Sequence, residues 1–205
     1  LLTLRGASKP QIIDDNVIVG LANGKLVSLN RLDGKPTWLV EIAVPRGRTE
    51  LERMVDIDAT PYIDDGMVYT VAFQGRAAAV SLTTGRIKWA RDLSSSLGMD
   101  LDSTYLYVTT NEGEIWALAQ NDGSVFWKQD ELVNRGVTAP AILGDYLVVG
   151  DVEGYLHWIE LDTGYIVHRS RLDDTPIDTA PQVHGNIVYV ASRGGIFNAI
   201  KLSEK

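Results

Sequence analysis

One spacing recurs along this chain: a glycine is followed, fourteen residues later, by an aromatic ring. The pairs are Gly24 and Trp38, Gly75 and Trp89, Gly113 and Trp127, and Gly154 and His168, and a fifth copy begins at Gly195. Each of the four complete copies also has a glycine four residues before the ring. Self-similarity with a period near forty residues is typical of propellers and solenoids, so the chain is predicted to be a repeat array.

Proline gives a second marker of the same register. The distance from Pro10 to Trp38, from Pro61 to Trp89 and from Pro140 to His168 is 28 residues each time. The third copy has no such proline, so the repeats share the glycine and aromatic spacing but not every marker. The predicted repeats span approximately 8–43, 61–93, 99–130, 138–172 and 179–202, within one partial propeller covering 1–205.

Each repeat is predicted to form four short antiparallel strands. In the second repeat the β-branched and aromatic run Met67–Ala72 lies between the turn signals Asp64-Asp65-Gly66 and Phe73-Gln74-Gly75. Two further apolar runs follow, separated by Thr83-Thr84-Gly85. No segment has a helical period over a full helix length, which indicates an all-β chain. Because a small sheet cannot bury both faces alone, the sheets are expected to stack with the ring of each repeat wedged between neighbours.

The amino-acid composition argues against several classes of function. The 205 residues carry a net charge of −8, and no basic stripe of the kind that binds nucleic acid is evident. There are no cysteines, which removes disulfides and thiolate chemistry but indicates no compartment. No apolar stretch is long enough to span a bilayer and no secretory signal opens the chain. Because it begins without Met, we expect a processed or excised piece.

The pattern Ala79…Thr84-Gly85…Trp89 resembles the tryptophan-docking motif of quinoprotein-type β-propellers. Within that superfamily the chain is similar to the BamB family of outer-membrane assembly lipoproteins. The similarity rests on the stretches Leu2–Gly6, Thr49–Arg53, Asp56–Pro61 and Gly150–Ile159, which together span the chain.

The resemblance implies an eight-bladed propeller, of which this chain would be the C-terminal portion with about four complete blades and part of a fifth. It implies a non-catalytic scaffold without cofactor that binds the periplasmic domains of BamA and assists insertion of β-barrel proteins. It also implies contact with unfolded outer-membrane protein clients. The location would be the periplasmic face of the bacterial outer membrane, reached through an N-terminal lipid anchor outside this segment.

The residues that the resemblance assigns to BamA binding are Leu2, Leu4, Arg5, Asp56 and Asp58. The repeat register supports placing them together, because Arg5 and Asp56 each precede a repeat proline by five residues. They are therefore predicted to lie in equivalent loops of consecutive blades, on one rim. Apolar residues beside charged groups form a plausible protein-binding patch.

A longer connection lies next to this predicted patch. Pro61 follows Trp38 by 23 positions, whereas Pro140 follows Trp127 by 13. The ten extra residues are centred on Pro45–Glu50, and insertions in repeat proteins commonly fall on the binding face. We expect this loop to frame the partner groove, although a solvated loop without function fits the same charged run.

The sequence gives weaker support for acid–base catalysis or metal binding. Asp56 and Asp58 could form an acid–base pair or a metal site, but no third ligand is near them in sequence, and Asp before a turn more often bonds its own backbone. Asp151-x-Glu153-Gly154 faintly resembles a calcium loop and stands where the other repeats have a hairpin turn. No two histidines have metal-ligand spacing.

Two alternative functions remain open at the level of sequence. A quinoprotein dehydrogenase that uses pyrroloquinoline quinone and calcium would share the fold, but needs ligands converging on a central site and often an adjacent-cysteine disulfide. A propeller adaptor for another envelope complex is the other alternative. Since open sheet edges favour pairing, we also expect the isolated chain to self-associate.

Overall fold

The computed structural model describes residues 8–45, 48–49 and 52–202. These residues form nineteen β-strands and no helix. All paired strands are antiparallel, which confirms the predicted all-β class. By contacts the chain divides into two units. The first runs to Gly98 and includes Gln120–Gly123, and the second comprises Met99–Ala119 and the residues from Ser124 onward.

The first unit contains two four-stranded sheets. In each of them the strands lie side by side in chain order: β1 (Gln11–Ile13), β2 (Asn16–Gly20), β3 (Lys25–Asn30) and β4 (Pro36–Glu41); then β5 (Tyr62–Asp64), β6 (Met67–Val71), β7 (Arg76–Ser81) and β8 (Ile87–Asp92). The buried cluster between these sheets takes Leu26 and Ile18 from the first, and Val68 and Val80 from the second.

The third sheet consists of β9 (Gly98–Leu101), β10 (Tyr105–Thr109), β11 (Ile115–Ala119) and β12 (Val125–Gln129). The fourth consists of β13 (Ala141–Leu143), β14 (Tyr146–Gly150), β15 (Tyr155–Glu160) and β16 (Ile166–Arg171). The fifth has three described strands, β17 (Gln182–His184), β18 (Ile187–Ala191) and β19 (Phe197–Lys201). Two apolar clusters hold the second unit together, one between the third and fourth sheets and one between the fourth and fifth.

In the three repeats that carry tryptophan, the ring predicted to wedge lies on the fourth strand and docks on a turn of the repeat that follows it in sequence. The same prediction for His168 is wrong, because His168 is exposed. The indole Nε1 atoms of Trp38, Trp89 and Trp127 donate to the backbone oxygens of Leu82, Gln120 and Leu161, at 2.7, 2.8 and 2.6 Å. Each ring also lies against the glycine of that turn, Gly85, Gly123 or Gly164. The docking predicted from the fourteen-residue spacing is confirmed for all three tryptophans.

A β-bulge aims each ring. In the four complete repeats the register between the third and fourth strands shifts immediately beside the ring, so one extra residue of the fourth strand is left unpaired there. Bulges bend a strand and increase its twist, which re-aims the neighbouring side chains. The sequence pattern contains this extra residue, but periodicity alone does not reveal it.

The residue across the strand pair from each ring explains why the fourth repeat tolerates a histidine. Small residues lie opposite the tryptophans: Ser28 opposite Trp38, Ala79 opposite Trp89, and Ala117 opposite Trp127. In the fourth repeat the sizes are exchanged, because Trp158 lies opposite His168. Trp158 is buried while His168 is exposed, so in this repeat the buried indole belongs to the third strand and not to the fourth.

Candidate protein-binding site

The predicted site residues fall in two places. Leu2, Leu4 and Arg5 lie outside the described residues. Asp56 and Asp58 lie in the connection between β4 and β5. Asp56 forms an isolated antiparallel bridge with Phe73, and its backbone oxygen accepts a hydrogen bond from the Phe73 N–H at 2.8 Å.

This backbone contact recurs in later repeats and defines equivalent positions. The N–H of Val152 donates to the Arg135 oxygen at 3.2 Å, and the N–H of Arg193 donates to the Pro176 oxygen at 2.8 Å. Like Asp56, Arg135 and Pro176 precede a repeat proline by five residues. The register argued from the prolines is therefore a structural register in these three repeats.

Burial distinguishes the residues of the Asp56–Asp58 segment. Ile57 is buried and packs so closely against Gly20 that a Cβ atom at that glycine would collide with its side chain. Asp56 is only 1% exposed, while Asp58 is half-buried. Asp58 is consequently the carboxylate of this pair that an incoming group can reach.

The fifth repeat has an aspartate at the position of Asp58, and it is neutralised. Asp178 follows Pro176 by two residues, and its Oδ2 accepts hydrogen bonds from Nε and Nη2 of Arg193 at 3.0 and 2.7 Å. In the first unit the residue at the position of Arg193 is Phe73. A ring thus stands where the fifth repeat provides a guanidinium, and Asp58 has no cationic partner within the described ranges.

The environment of Asp58 disfavours its charge. Burial, together with the smaller effect of the neighbouring negative charge of Asp56, raises the pKa of Asp58 to about 6. The Oδ1 atom of Asp58 is buried without a hydrogen bond. Because a nearby cation would lower this pKa, a positive group on another molecule would stabilise the charged form of Asp58.

The long connection before Asp56 is ordered locally where it is described. The Oε2 atom of Glu52 accepts hydrogen bonds from the N–H groups of Arg48 and Thr49 at 2.7 and 3.1 Å. In return, the Glu52 N–H donates to the Thr49 hydroxyl at 3.2 Å, which completes a capping box. These backbone donors lower the pKa of Glu52. Arg46, Gly47, Glu50 and Leu51 lie outside the described residues.

Asp151 belongs to a different, internal network in the second unit. Its Oδ2 accepts from Nε of Arg135 at 2.8 Å and lies 2.8 Å from Nε2 of the buried His157, while its Oδ1 accepts from the N–H groups of Glu153 and Tyr155, each at 3.0 Å. Burial raises the pKa of Asp151, but the hydrogen bonds prevail and lower it to about 2.

The carboxylate of Asp151 is therefore occupied by protein donors, and its segment is the β14–β15 hairpin turn, as the hairpin interpretation predicted. Arg135 also pairs with Glu153 at 2.9 Å and lies over the Tyr155 ring. The sequence did not reveal this network, because its members become neighbours only when the Arg135 loop reaches the turn.

Two other kinds of feature are absent from the part of the chain that the structure describes. Across 8–45, 48–49 and 52–202, no group of three or more His, Cys, Asp or Glu side chains could hold a metal ion. Nor does that part of the chain contain a helix with the length and apolar character needed to cross a membrane.

Comparisons with known proteins agree on one family. A sequence model of the family described as "Outer membrane protein assembly factor BamB" matches residues 1–129. Curated relatives of that name include one from Alkalilimnicola ehrlichii, 43% identical over 204 residues, which are 100% of this chain and 53% of the relative. Another, from Pseudomonas aeruginosa, is 38% identical over 95% of this chain and 51% of its own. This chain spans about half the length of the curated relatives it matches.

Solved structures agree as well. The crystal structure of BamB from Moraxella catarrhalis superposes with a TM-score of 0.91 at 28% identity, covering 98% of this chain and 60% of that one. The β-propeller domain of Cps50 (Swd1) from Myceliophteria thermophila has a TM-score of 0.72 at 13% identity, covering 98% of this chain and 68% of its own. At that identity it indicates the fold alone, which is of the propeller type.

Proposed function

Because the chain belongs to the family of outer membrane protein assembly factor BamB, we propose that it is a non-catalytic docking scaffold in outer-membrane protein assembly. It acts on the periplasmic side of the outer membrane, where a lipid anchor beyond this segment holds the whole protein. Its partner is the periplasmic region of BamA, and through BamA it assists the insertion of β-barrel proteins. Unfolded outer-membrane proteins are its second class of partner.

The observation that carries this proposal is the unmatched carboxylate of Asp58. Phe73 replaces the arginine that neutralises the equivalent Asp178, and burial together with Asp56 raises the pKa of Asp58 to about 6. A basic side chain of the partner would supply the missing charge and relieve the cost of ionising Asp58. Charge-assisted hydrogen bonds of this kind are stronger than neutral ones.

Each predicted site residue has a distinct part in this scheme. Asp58 makes the direct contact with the basic group. Asp56 is buried, and its negative charge adds to the negative potential at Asp58. Leu2, Leu4 and Arg5 supply the apolar and cationic part of the surface, as the resemblance implies, and the loop held by Thr49 and Glu52 borders it.

Titration with the purified periplasmic domains of BamA tests the proposal. We expect saturable binding to the 205-residue chain, weakened at least tenfold by Asp58→Asn, since a charge-assisted hydrogen bond contributes about 1.5–3 kcal/mol. Asp178→Asn is the matched control: it removes the equivalent carboxylate of the fifth repeat, which Arg193 already neutralises. We expect this control to bind like the unmodified chain.

Two results would contradict the proposal. Absence of saturable binding would leave the chain as an adaptor for a different complex. Equal loss of affinity in both variants would mean that general negative charge, and not the Asp58 site, attracts the partner. Arg5→Ala tests the remaining part of the surface. We expect this variant, unlike the Asp178→Asn control, to bind the periplasmic domains of BamA more weakly than the unmodified chain does.

A further inference from the structure

Three arginine side chains surround the ring of Tyr155 in the second unit. The guanidinium carbon atoms of Arg169, Arg171 and Arg135 lie 4.6, 5.4 and 6.0 Å from the ring centroid. At such distances the face of an aromatic ring attracts a cation. Arg169 and Arg171 are exposed and extend from the same side of β16, because residues two apart on a strand point the same way. The half-buried ring of Tyr155 therefore holds two exposed guanidinium groups against the sheet.

The repeat pattern does not impose this arrangement. In the second sheet the third strand begins with Arg76, and an acid, Asp92, lies opposite it on the fourth strand. The first sheet has the same order of charges, with a lysine opposite a glutamate. In the fourth sheet the ring of Tyr155 stands at the position of the basic residue, and Arg171 at the position of the acid. The cluster is thus a property of this one sheet.

Two of the three arginines already have carboxylate partners. Arg135 pairs with both acids of the β14–β15 turn. Nη2 of Arg171 lies 2.9 Å from Oδ1 of Asp174, and its Nε donates to the backbone oxygen of Asp173 at 3.2 Å. Arg169 differs from both: among the residues that the structure describes, no carboxylate pairs with it and no acceptor bonds its side-chain N–H groups.

The unused donors of Arg169 are suited to a carboxylate. A guanidinium stacked on an aromatic face keeps its N–H groups in its own plane, where they can still bind an acceptor. The two oxygens of a carboxylate match this planar donor geometry. Because the ring already restrains the arginine, binding costs less side-chain entropy than it would for a freely moving side chain.

The local charges favour a singly charged occupant. Only Arg169 contributes an uncompensated positive charge to the cluster. Asp174 and Glu153 are 86% and 61% exposed, and both would repel a doubly charged phosphate more strongly than a carboxylate. The net charge of −8 on the whole chain acts weakly here, because charges more than about 8 Å apart are largely screened at physiological ionic strength.

We propose that the surface formed by Tyr155, Arg169 and Arg171 binds an acidic segment of another protein. A glutamate or aspartate of this segment accepts hydrogen bonds from Arg169. The pair between Arg171 and Asp174 is exposed and therefore weak, so Arg171 can exchange Asp174 for a second carboxylate of the segment. This surface differs from the Asp58 site in the sign of its charge, and it recognises the opposite kind of group.

A short peptide of alternating alanine and glutamate, with both ends blocked, is a suitable probe. The 205-residue chain is labelled with ¹⁵N and titrated with this peptide at physiological ionic strength. We expect saturable shifts of the Arg169 Nε–H signal and of the backbone amides of β16. The same peptide with glutamine in place of glutamate retains the length and the backbone but has no charge, and it should produce no such shifts.

Arg169→Gln in the chain tests the proposed donor. We expect the affinity for the glutamate peptide to fall about three- to fivefold, the size expected for an exposed ion pair. Lys128→Gln is the matched control. Lys128 has the same place in β12 and also lies over a ring, 5.2 Å from the centroid of Trp116, but Glu114 neutralises it at 2.7 Å. The control removes the same charge and should leave peptide binding unchanged.

Two substitutions of Tyr155 test the ring. Tyr155→Phe keeps the aromatic face, so this variant should bind the peptide like the unmodified chain. Tyr155→Leu keeps an apolar side chain but removes the face that restrains the guanidinium groups, and it should bind more weakly. Equal binding by the two variants would contradict the role given to the ring. Should Tyr155→Leu fail to fold, the comparison of Arg169→Gln with Lys128→Gln decides.

Several other results would overturn the proposal. One is absence of saturable binding, or equal binding of the glutamine peptide. Equal losses in Arg169→Gln and Lys128→Gln would mean that overall charge attracts the peptide. If the chain binds vesicles of phosphatidylglycerol and phosphatidylcholine through Arg169 but does not bind the peptide, the occupant is a lipid headgroup. A dimer in sedimentation that Arg169→Gln dissociates would identify a second copy. No BamA domain takes part, so these outcomes are independent of docking through Asp58.

Discussion

The ring of Trp89 lies so close to Gly123 that a Cβ atom added at this glycine would stand 2.6 Å from the ring carbon Cε3. The same turn provides the Gln120 oxygen that accepts the indole N–H. Gly123 has a φ of 70°, in the left-handed region that favours glycine. One turn therefore meets three requirements of docking: a backbone acceptor, a tight bend and space for the indole.

We expect Gly123→Ala to lower the free energy of unfolding by about 2–4 kcal/mol, from backbone strain and from the collision with Trp89. Gly66→Ala separates these two costs. Gly66 has the same φ of 70°, but nothing lies within 4 Å of its added Cβ, so only about 1–2 kcal/mol should be lost. Urea denaturation measures both. Equal losses in the two variants would mean that the glycine–indole contact has no energetic role.

Truncation of the docked ring should be costly in proportion to its burial. Trp89 is 8% exposed, and Trp89→Ala should destabilise the chain by about 3–5 kcal/mol. His168 occupies the equivalent position but is exposed, so His168→Ala should cost less than about 1 kcal/mol. Thermal unfolding of the two variants provides the comparison. A large loss in His168→Ala would show that the imidazole contributes to packing.

The Arg135–Asp151 pair should stabilise the second unit. Arg135 is 24% exposed and Asp151 is fully buried, so removal of the guanidinium leaves a buried carboxylate with fewer donors. We expect Arg135→Ala to lower the free energy of unfolding by about 1.5–3 kcal/mol. Arg31→Ala is the control, because Arg31 and Asp15 form an exposed pair at 3.8 Å and should contribute about 0–1 kcal/mol. Similar losses in both would refute a special role for burial.

Asp58 should make stability fall as the pH rises. Its folded pKa, about 6, lies above the ordinary value of 3.8, so the folded state retains a proton that the unfolded chain releases earlier. The stabilisation is complete below about pH 4 and is lost as the pH rises to 6. Asp58→Asn should therefore be more stable than the unmodified chain at pH 7, and this advantage should vanish near pH 4. Chemical denaturation across this range measures the difference.

Asp33→Asn should show the opposite sign. Hydrogen bonds from the side chain and backbone of Lys35 lower the pKa of Asp33, so its contribution is present above the ordinary pKa and is lost in acid. This variant should be less stable than the unmodified chain at pH 7. If Asp58→Asn behaves like Asp33→Asn, the account of Asp58 as a carboxylate without a partner is wrong.

Much of the fold could be predicted from residues that are close in sequence. Gly75, Gly85 and Trp89 mark a hairpin, a turn and a docking strand, because turn chemistry and the two-residue alternation of strands act over a few positions. The five-residue spacing before the repeat prolines likewise placed Asp56 and Arg135 at equivalent backbone positions. Such local signals are strong when a chain repeats them four times.

The environment of individual side chains was decided by the tertiary structure. Burial of Asp56, the presence of Phe73 where Arg193 stands in the fifth repeat, and the convergence of Arg135 and His157 on Asp151 all join separate segments. The exchange of sizes between Trp158 and His168 also depends on how two sheets pack. Strand periodicity depends on residues that are neighbours in sequence. The pKa and burial of a side chain depend on every group that folding brings within a few ångströms of it.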